Sequence, residues 1–190
     1  MTQGGAGSRT AVVPPKVLVV MGVSGSGKST TGARLARMLG WDFRDADSFH
    51  PRANIEKMSR GEPLTDADRA PWLETIARWI DERRATGRPA LVSCSALKRT
   101  YRRELIGTRP DVQLIYLKGD KALIADRLAR RRHHFMPAAL LDSQFATLEE
   151  PTADEHAIIA NVALPPNRVV ERILASIAIS LLAGDRKTER

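Results

Sequence analysis

The sequence predicts one α/β domain, a parallel sheet with helices on both faces. Two observations carry this. Short apolar runs alternate with longer amphipathic stretches along most of the chain, the pattern of strands joined by helical crossovers. A glycine-rich segment lies directly between the first apolar run and the first helical stretch, which marks the carboxyl edge of the sheet as the place for a site. A length of 190 residues suits a single domain. Residues 1–15 read as a flexible extension closed by Pro14 and Pro15, residues 16–184 as the domain, and residues 185–190 as a fraying charged tail.

The elements follow in order. Lys16 to Met21 is a buried strand. Residues 28–39 form a helix with Ala33, Leu35, Ala36 and Leu39 inward, and residues 42–46 form a short second strand. Pro51 and Pro71 each suit a first helical turn. The segment 66–86 is a helix with Asp66 as N-cap and Gly87 as stop. Trp72 and Trp79, seven residues apart on it, belong to the core. Pro89 to Cys94 is a third strand, followed by a basic helix over 97–107 whose Arg102 and Arg103 read as solvated, as do Arg83 and Arg84 before it. Val112 to Leu117 is a strand, and 120–132 and 138–148 are helices. Ala157 to Val162 is the last strand, and 166–183 the last helix, with Val170, Ile173, Leu174, Ile177 and Leu181 on one stripe.

Composition narrows the classes. The hydrophobic share of 43% supports an ordinary core. One cysteine, Cys94, excludes a disulfide framework and a cysteine metal cluster, and fits a reducing cytoplasm. No apolar stretch has the length of a signal peptide or a membrane span. The net charge of +8 suits nucleic acid or small anionic substrates equally. The aromatic share of 5% argues against a base-stacking surface.

The glycine-rich segment decides more. Gly22, Val23, Ser24, Gly25, Ser26, Gly27, Lys28 and Ser29 match G-x-x-x-x-G-K-[ST], and Thr30 follows. Between a strand and a helix this is a phosphate-binding loop. Its amides and the helix N-terminus cradle ATP phosphates. Lys28 reaches the β- and γ-phosphates, and the Ser29 hydroxyl ligates Mg²⁺. Asp45 and Asp47 follow the second strand. Asp47 is the chosen metal-side and catalytic carboxylate, to orient or deprotonate an acceptor hydroxyl; a helix-capping role is its alternative. His50 lies beside it. Lys57 and Arg69 can clamp a substrate carboxylate or stand solvated. Ser95 and Lys98 pair a hydroxyl with a cation at the third strand's end. That end lacks the usual acidic residue, which gives Asp47 more of the metal role. The basic run Arg127 to His134 ends a helix and suits a lid over ATP; a solvated face or an RNA-binding patch are its alternatives. Two adjacent histidines, His133 and His134, do not make a metal site without a third ligand.

The blocks MGVSGSGKST, HPRANIEKMSRGEPLTDADRAPWL, VSCSALKRTYR, LIYLKGD and HFMPAALLDSQFATLEEP run in order from about Val17 to Pro151. With them the sequence resembles the gluconate kinases of the small P-loop type, relatives of shikimate and adenylate kinases. The resemblance implies transfer of the ATP γ-phosphate to the 6-hydroxyl of D-gluconate, Mg²⁺, a cytoplasmic homodimer, and neither nucleic acid nor membrane as partner. It implies a substrate-binding segment near 48–86 and a lid near 130–148. It implies catalytic roles for Lys28, Asp47 and Arg131, and places Arg127 on ATP. Asp47, His50, Lys57, Arg69, Ser95, Lys98, His134 and Gln144 fall on the acceptor side. The chain departs from the family pattern at His133, Arg103, Asn161 and Ala163. The rivals are a kinase for another small sugar acid or shikimate, a basic nucleic-acid-binding ATPase, and a regulatory module that binds ATP without turnover.

Overall fold

Five strands, β1 (Val17–Met21), β2 (Asp42–Asp45), β3 (Ala90–Ser93), β4 (Val112–Lys118) and β5 (Ile158–Asn161), form one sheet in the order β2-β3-β1-β4-β5. All four pairings are parallel. The computed structural model describes residues 13–130 and 138–185. The helices are α1 (Lys28–Leu39), α2 (Arg52–Ser59), α3 (Asp66–Ala85), α4 (Arg99–Leu105), α5 (Lys121–Ala129), α6 (Ala138–Thr147) and α7 (Pro166–Asp185). The chain leaves β1 for β2 on one side of the sheet, and later places β4 and β5 on the other. That reversal opens a crevice at the carboxyl end of β1.

Every residue of β1 is buried, as a central parallel strand requires. Alternate residues feed two cores. Val17, Val19 and Met21 join Trp72, Ile76, Trp79 and Ile80 of α3 and Tyr101 and Leu105 of α4. Leu18 and Val20 join Leu35 of α1, Ile124 of α5 and Val169, Val170 and Ile173 of α7. Trp72 and Trp79 are core residues, as their spacing predicts. On α1, however, Thr31 and Gly32 are buried beside Leu35 and Ala36, whereas Ala33 and Leu39 are only half-buried. A Cβ on Gly32 would stand 2.5 Å from Cε2 of Phe43, so this glycine sets how closely α1 lies on β2.

The N-cap of α3 is Thr65, not Asp66. Its backbone is extended and its hydroxyl accepts from the Asp68 amide at 3.2 Å. The Asp68 carboxylate returns to the Thr65 amide at 2.7 Å. This capping box satisfies two donors that the first turn otherwise leaves open. Asp66 instead lies in the first turn with its carboxylate turned to the acceptor side. Thr65→Ala is expected to cost about 1 kcal/mol, and so to lower the melting temperature by about 2–4 °C, as read by thermal unfolding.

Arginines expected in solvent are structural. Arg102 is 1% exposed. Arg83 Nη1 donates to Asp42 Oδ2 at 2.6 Å, and Arg84 Nε to Asp111 Oδ1 at 2.5 Å. Each tie joins segments far apart in sequence, which a helical charge pattern does not reveal. Arg103 is exposed, as expected.

Candidate active site

The phosphate loop connects β1 to α1 at the crevice. Gly25 has φ +83°, and a Cβ there would come within 2.8 Å of Leu128 Cγ on α5, so only glycine fits. Gly27, also left-handed, caps α1 without a side-chain partner. The helix N-terminus thus faces the loop with open amides and positive potential. Lys28 Nζ donates to the Val23 carbonyl at 3.1 Å across the loop. The Ser26 hydroxyl is buried and has no hydrogen-bond partner. An acceptor-rich ligand on this loop would relieve that cost.

Beside the loop lies a cavity of about 230 Å³ lined by Gly25, Ser26, Gly27, Thr30, Thr31, Arg127, Val162, Leu164, Pro166 and Val169. Its apolar wall comes from the end of β5 and the start of α7. Arg127 is held there by its Nη2 donating to the Val162 carbonyl. The cavity is continuous with the phosphate loop through Gly25, Ser26 and Gly27. Sequence reasoning placed Arg127 but missed the apolar wall, whose residues look like ordinary core.

The first carboxylate of the acidic pair, rather than the second, meets the loop. Asp45 Oδ2 accepts from Ser29 Oγ at 2.5 Å, and its Oδ1 accepts from the Asp47 amide at 3.1 Å. Asp45 ends β2, in register with Ser93 on β3. The chain then tightens into a 3-10 turn, Ala46–Phe49, that carries Asp47 outward. The Asp47 side chain is 89% exposed and stands 4.0 Å from His50 Nε2. Asp47 is therefore open to solvent, and Asp45 is the carboxylate bonded to Ser29.

His50 stacks on Trp72, with ring centroids 4.3 Å apart, and Trp72 Nε1 donates to the Ala46 carbonyl at 2.8 Å. Burial holds the His50 pKa below its usual value, against the opposing pull of Asp47. His50 is thus a neutral ring that fixes the turn carrying Asp47.

The acceptor-side cations are not bare. Lys57 Nζ donates to Asp68 Oδ2 at 2.6 Å, within the capping box of α3. Lys98 Nζ donates to both Asp66 oxygens, at 2.8 and 2.6 Å, and the Tyr101 hydroxyl donates to Asp66 as well. Arg69 lies 3.9 Å from Asp66 and donates to the Leu64 carbonyl at 2.5 Å. The Lys98 ammonium and the Tyr101 hydroxyl hold Asp66 below the usual carboxylate range. Lys98, Arg69, Asp66 and Tyr101 form one cluster that keeps a net positive charge. Sequence reasoning found its two cations but not Asp66 or Tyr101.

Ser95 accepts at its carbonyl from the Gly22 amide at 3.4 Å, joining the acceptor-side loop to the phosphate loop. Gln144 Oε1 accepts from the Ser24 amide at 2.6 Å, so α6 reaches the phosphate loop itself. Burial pushes the Cys94 thiol up to about 12, which removes it as a nucleophile. Arg131 and His134 lie outside the described residues. Among the described residues no group of three or more His, Cys, Asp or Glu side chains is arranged to hold a metal ion, and no helix is long and apolar enough to cross a membrane.

A family model described as an AAA domain matches residues 17–151. The gluconokinase of Gluconobacter oxydans is 49% identical over 160 residues, covering 84% of this chain and 90% of that protein. The chain belongs to the gluconokinase family. The thermoresistant gluconokinase of Escherichia coli is 46% identical over 143 residues, covering 75% of this chain and 82% of that protein. The crystal structure of a gluconokinase from Sinorhizobium meliloti matches with a TM-score of 0.80 at 43% identity, covering 92% of this chain and 97% of that one. The matched residues 17–151 span the phosphate loop and the acceptor side together, and the solved gluconokinase shares the α/β fold expected of the P-loop kinases.

Proposed function

We propose that the protein is an ATP-dependent gluconokinase, which transfers the γ-phosphoryl group of ATP to the 6-hydroxyl of D-gluconate. The observation that carries this reading is the pairing of a phosphate loop with a cationic acceptor edge, in a chain 49% identical to a gluconokinase. The nucleoside enters the cavity beside Arg127, and its phosphates lie along the loop amides. Lys28 leaves the Val23 carbonyl for the β- and γ-phosphate oxygens. The Asp47 carboxylate takes the proton of the 6-hydroxyl as the new O–P bond forms and the bond to the β-phosphate oxygen breaks. Lys98 and Arg69 receive the gluconate carboxylate.

The Ser29 hydroxyl and Asp45 carboxylate are hard oxygen donors of the kind Mg²⁺ takes beside nucleotide phosphates. The residues therefore fit the ion, with Asp45 in place of Asp47. When bound, it supplies charge neutralisation on the phosphates.

A coupled ADP-release assay across gluconate, other sugar acids, shikimate, glucose and nucleoside monophosphates tests the reading. Gluconate is expected to give the highest kcat/KM by at least about a hundredfold, since a site built to bind polar groups rejects analogues that leave them unpaired. Turnover without that preference would overturn it.

A further inference from the structure

Among the described residues Arg102 is the largest fully buried side chain, and it is charged. An arginine leaves water only when its donors are met. Here Nε and Nη2 grip the Glu155 carboxylate at 2.5 and 2.8 Å. Nη1 donates to the carbonyls of Ala96 at 3.2 Å, Leu97 at 3.1 Å and Glu149 at 2.9 Å. Two of these carbonyls belong to the acceptor-side loop between Ser95 and Lys98. The other partners belong to the segment that leaves α6.

Further bonds run in parallel. The Glu149 amide donates to the Leu97 carbonyl at 2.9 Å, and Glu149 Oε2 accepts from the Arg99 amide at 2.6 Å. Ala96 is held at φ +45°, a left-handed conformation that a side chain disfavours and that its neighbours must impose. In its last turn α6 places Gln144 on the Ser24 amide of the phosphate loop. One connected path therefore runs from the phosphate loop through α6 and Arg102 to the loop that carries Lys98.

We propose that Arg102 is a positioning residue for phosphoryl transfer, locking the Ser95–Lys98 acceptor loop to the Glu149–Glu155 segment that roots α6. The role of the acceptor loop rests on the gluconokinase reading; the tie itself does not. Helix α6 and the acceptor loop then move as one body, so the nucleotide side and the gluconate side keep a fixed spacing. Small displacements of a reacting group cost large factors in rate.

Arg102→Lys keeps the charge but loses the forked grip. It is expected to raise the gluconate KM about tenfold while the ATP KM stays within about twofold. A merely stabilising residue would lower the melting temperature and the active fraction without that split. Because a single change can leave Glu155 buried and unpaired, the double variant R102M/E155M removes both charges together. Amide hydrogen exchange is followed in both variants without substrates. Faster exchange in both segments, 95–99 and 149–155, supports the tie. Unchanged exchange in a folded variant, or a gluconate KM within about twofold of the parent, overturns it. A parent enzyme that does not phosphorylate gluconate overturns the functional reading, and the exchange arm still decides the tie.

Discussion

Lys28→Met is expected to lower kcat by about a thousandfold, the loss seen when a preorganised charge partner of the transition state is removed. The side chain starts at the first residue of α1 and crosses the loop to the Val23 carbonyl at 3.1 Å, so its cation already stands over the amides that receive phosphate. Methionine keeps the length and most of the volume, and Gly27 still caps the helix. Circular dichroism and the melting temperature should therefore stay near those of the parent. Phosphoryl transfer places growing negative charge on the oxygens between β- and γ-phosphates, and no other described side chain donates into the loop from this position. Single-turnover product formation checks the value, and ADP binding by calorimetry separates lost chemistry from lost affinity. A fall smaller than about tenfold would show that the cation does not act on the transition state.

The order of elements was legible because each carries its own periodicity. A five-residue buried strand, a glycine loop and a capped helix leave little choice of arrangement. What stayed hidden depends on contacts between distant residues. Asp45 and Asp47 differ by two positions, and an extended strand would put both on one face. The pairing of Asp45 with Ser93 ends the strand there, and the 3-10 turn then rotates Asp47 away, which no local pattern reveals. Arg102 looked solvated within a run of basic residues, yet it lies between the buried Tyr101 and Leu105 and finds its anion at Glu155, 53 residues later. The partner of Lys57, Asp68, lies across the turn between α2 and α3, a pairing no local pattern reveals. The phosphate loop was legible because its motif is contained in eight consecutive residues, whereas the bond from the Ser24 amide to Gln144 joins residues 120 positions apart.

The two carboxylates after β2 should separate by phenotype. Asp45→Asn is expected to raise the Mg²⁺ concentration for half-maximal rate about tenfold, the lower end of what altered metal partners cost. Asp47→Asn is expected to leave that concentration within about twofold and to lower kcat by about a hundredfold or more, the contribution of a positioned general base. The physical ground is the difference in surroundings. Asp45 is fixed at both oxygens, by Ser29 Oγ at 2.5 Å and the Asp47 amide at 3.1 Å, so it is rigid and close to the hydroxyl that would share the ion. Asparagine keeps the cap, since its carbonyl still accepts from the Asp47 amide and its amide can donate to the Ser29 hydroxyl. The change therefore removes charge and little else. Asp47 is 89% exposed with His50 4.0 Å away, free to meet a hydroxyl arriving from the acceptor side. Because the neutral His50 ring is held by its stack on Trp72, the turn beneath Asp47 keeps its position when the carboxylate is changed, and the KM for gluconate should move less than kcat. Mg²⁺ titrations of initial rate on both variants decide the assignment: an equal shift in Mg²⁺ dependence would put both carboxylates on the metal side and leave the acceptor hydroxyl without its base.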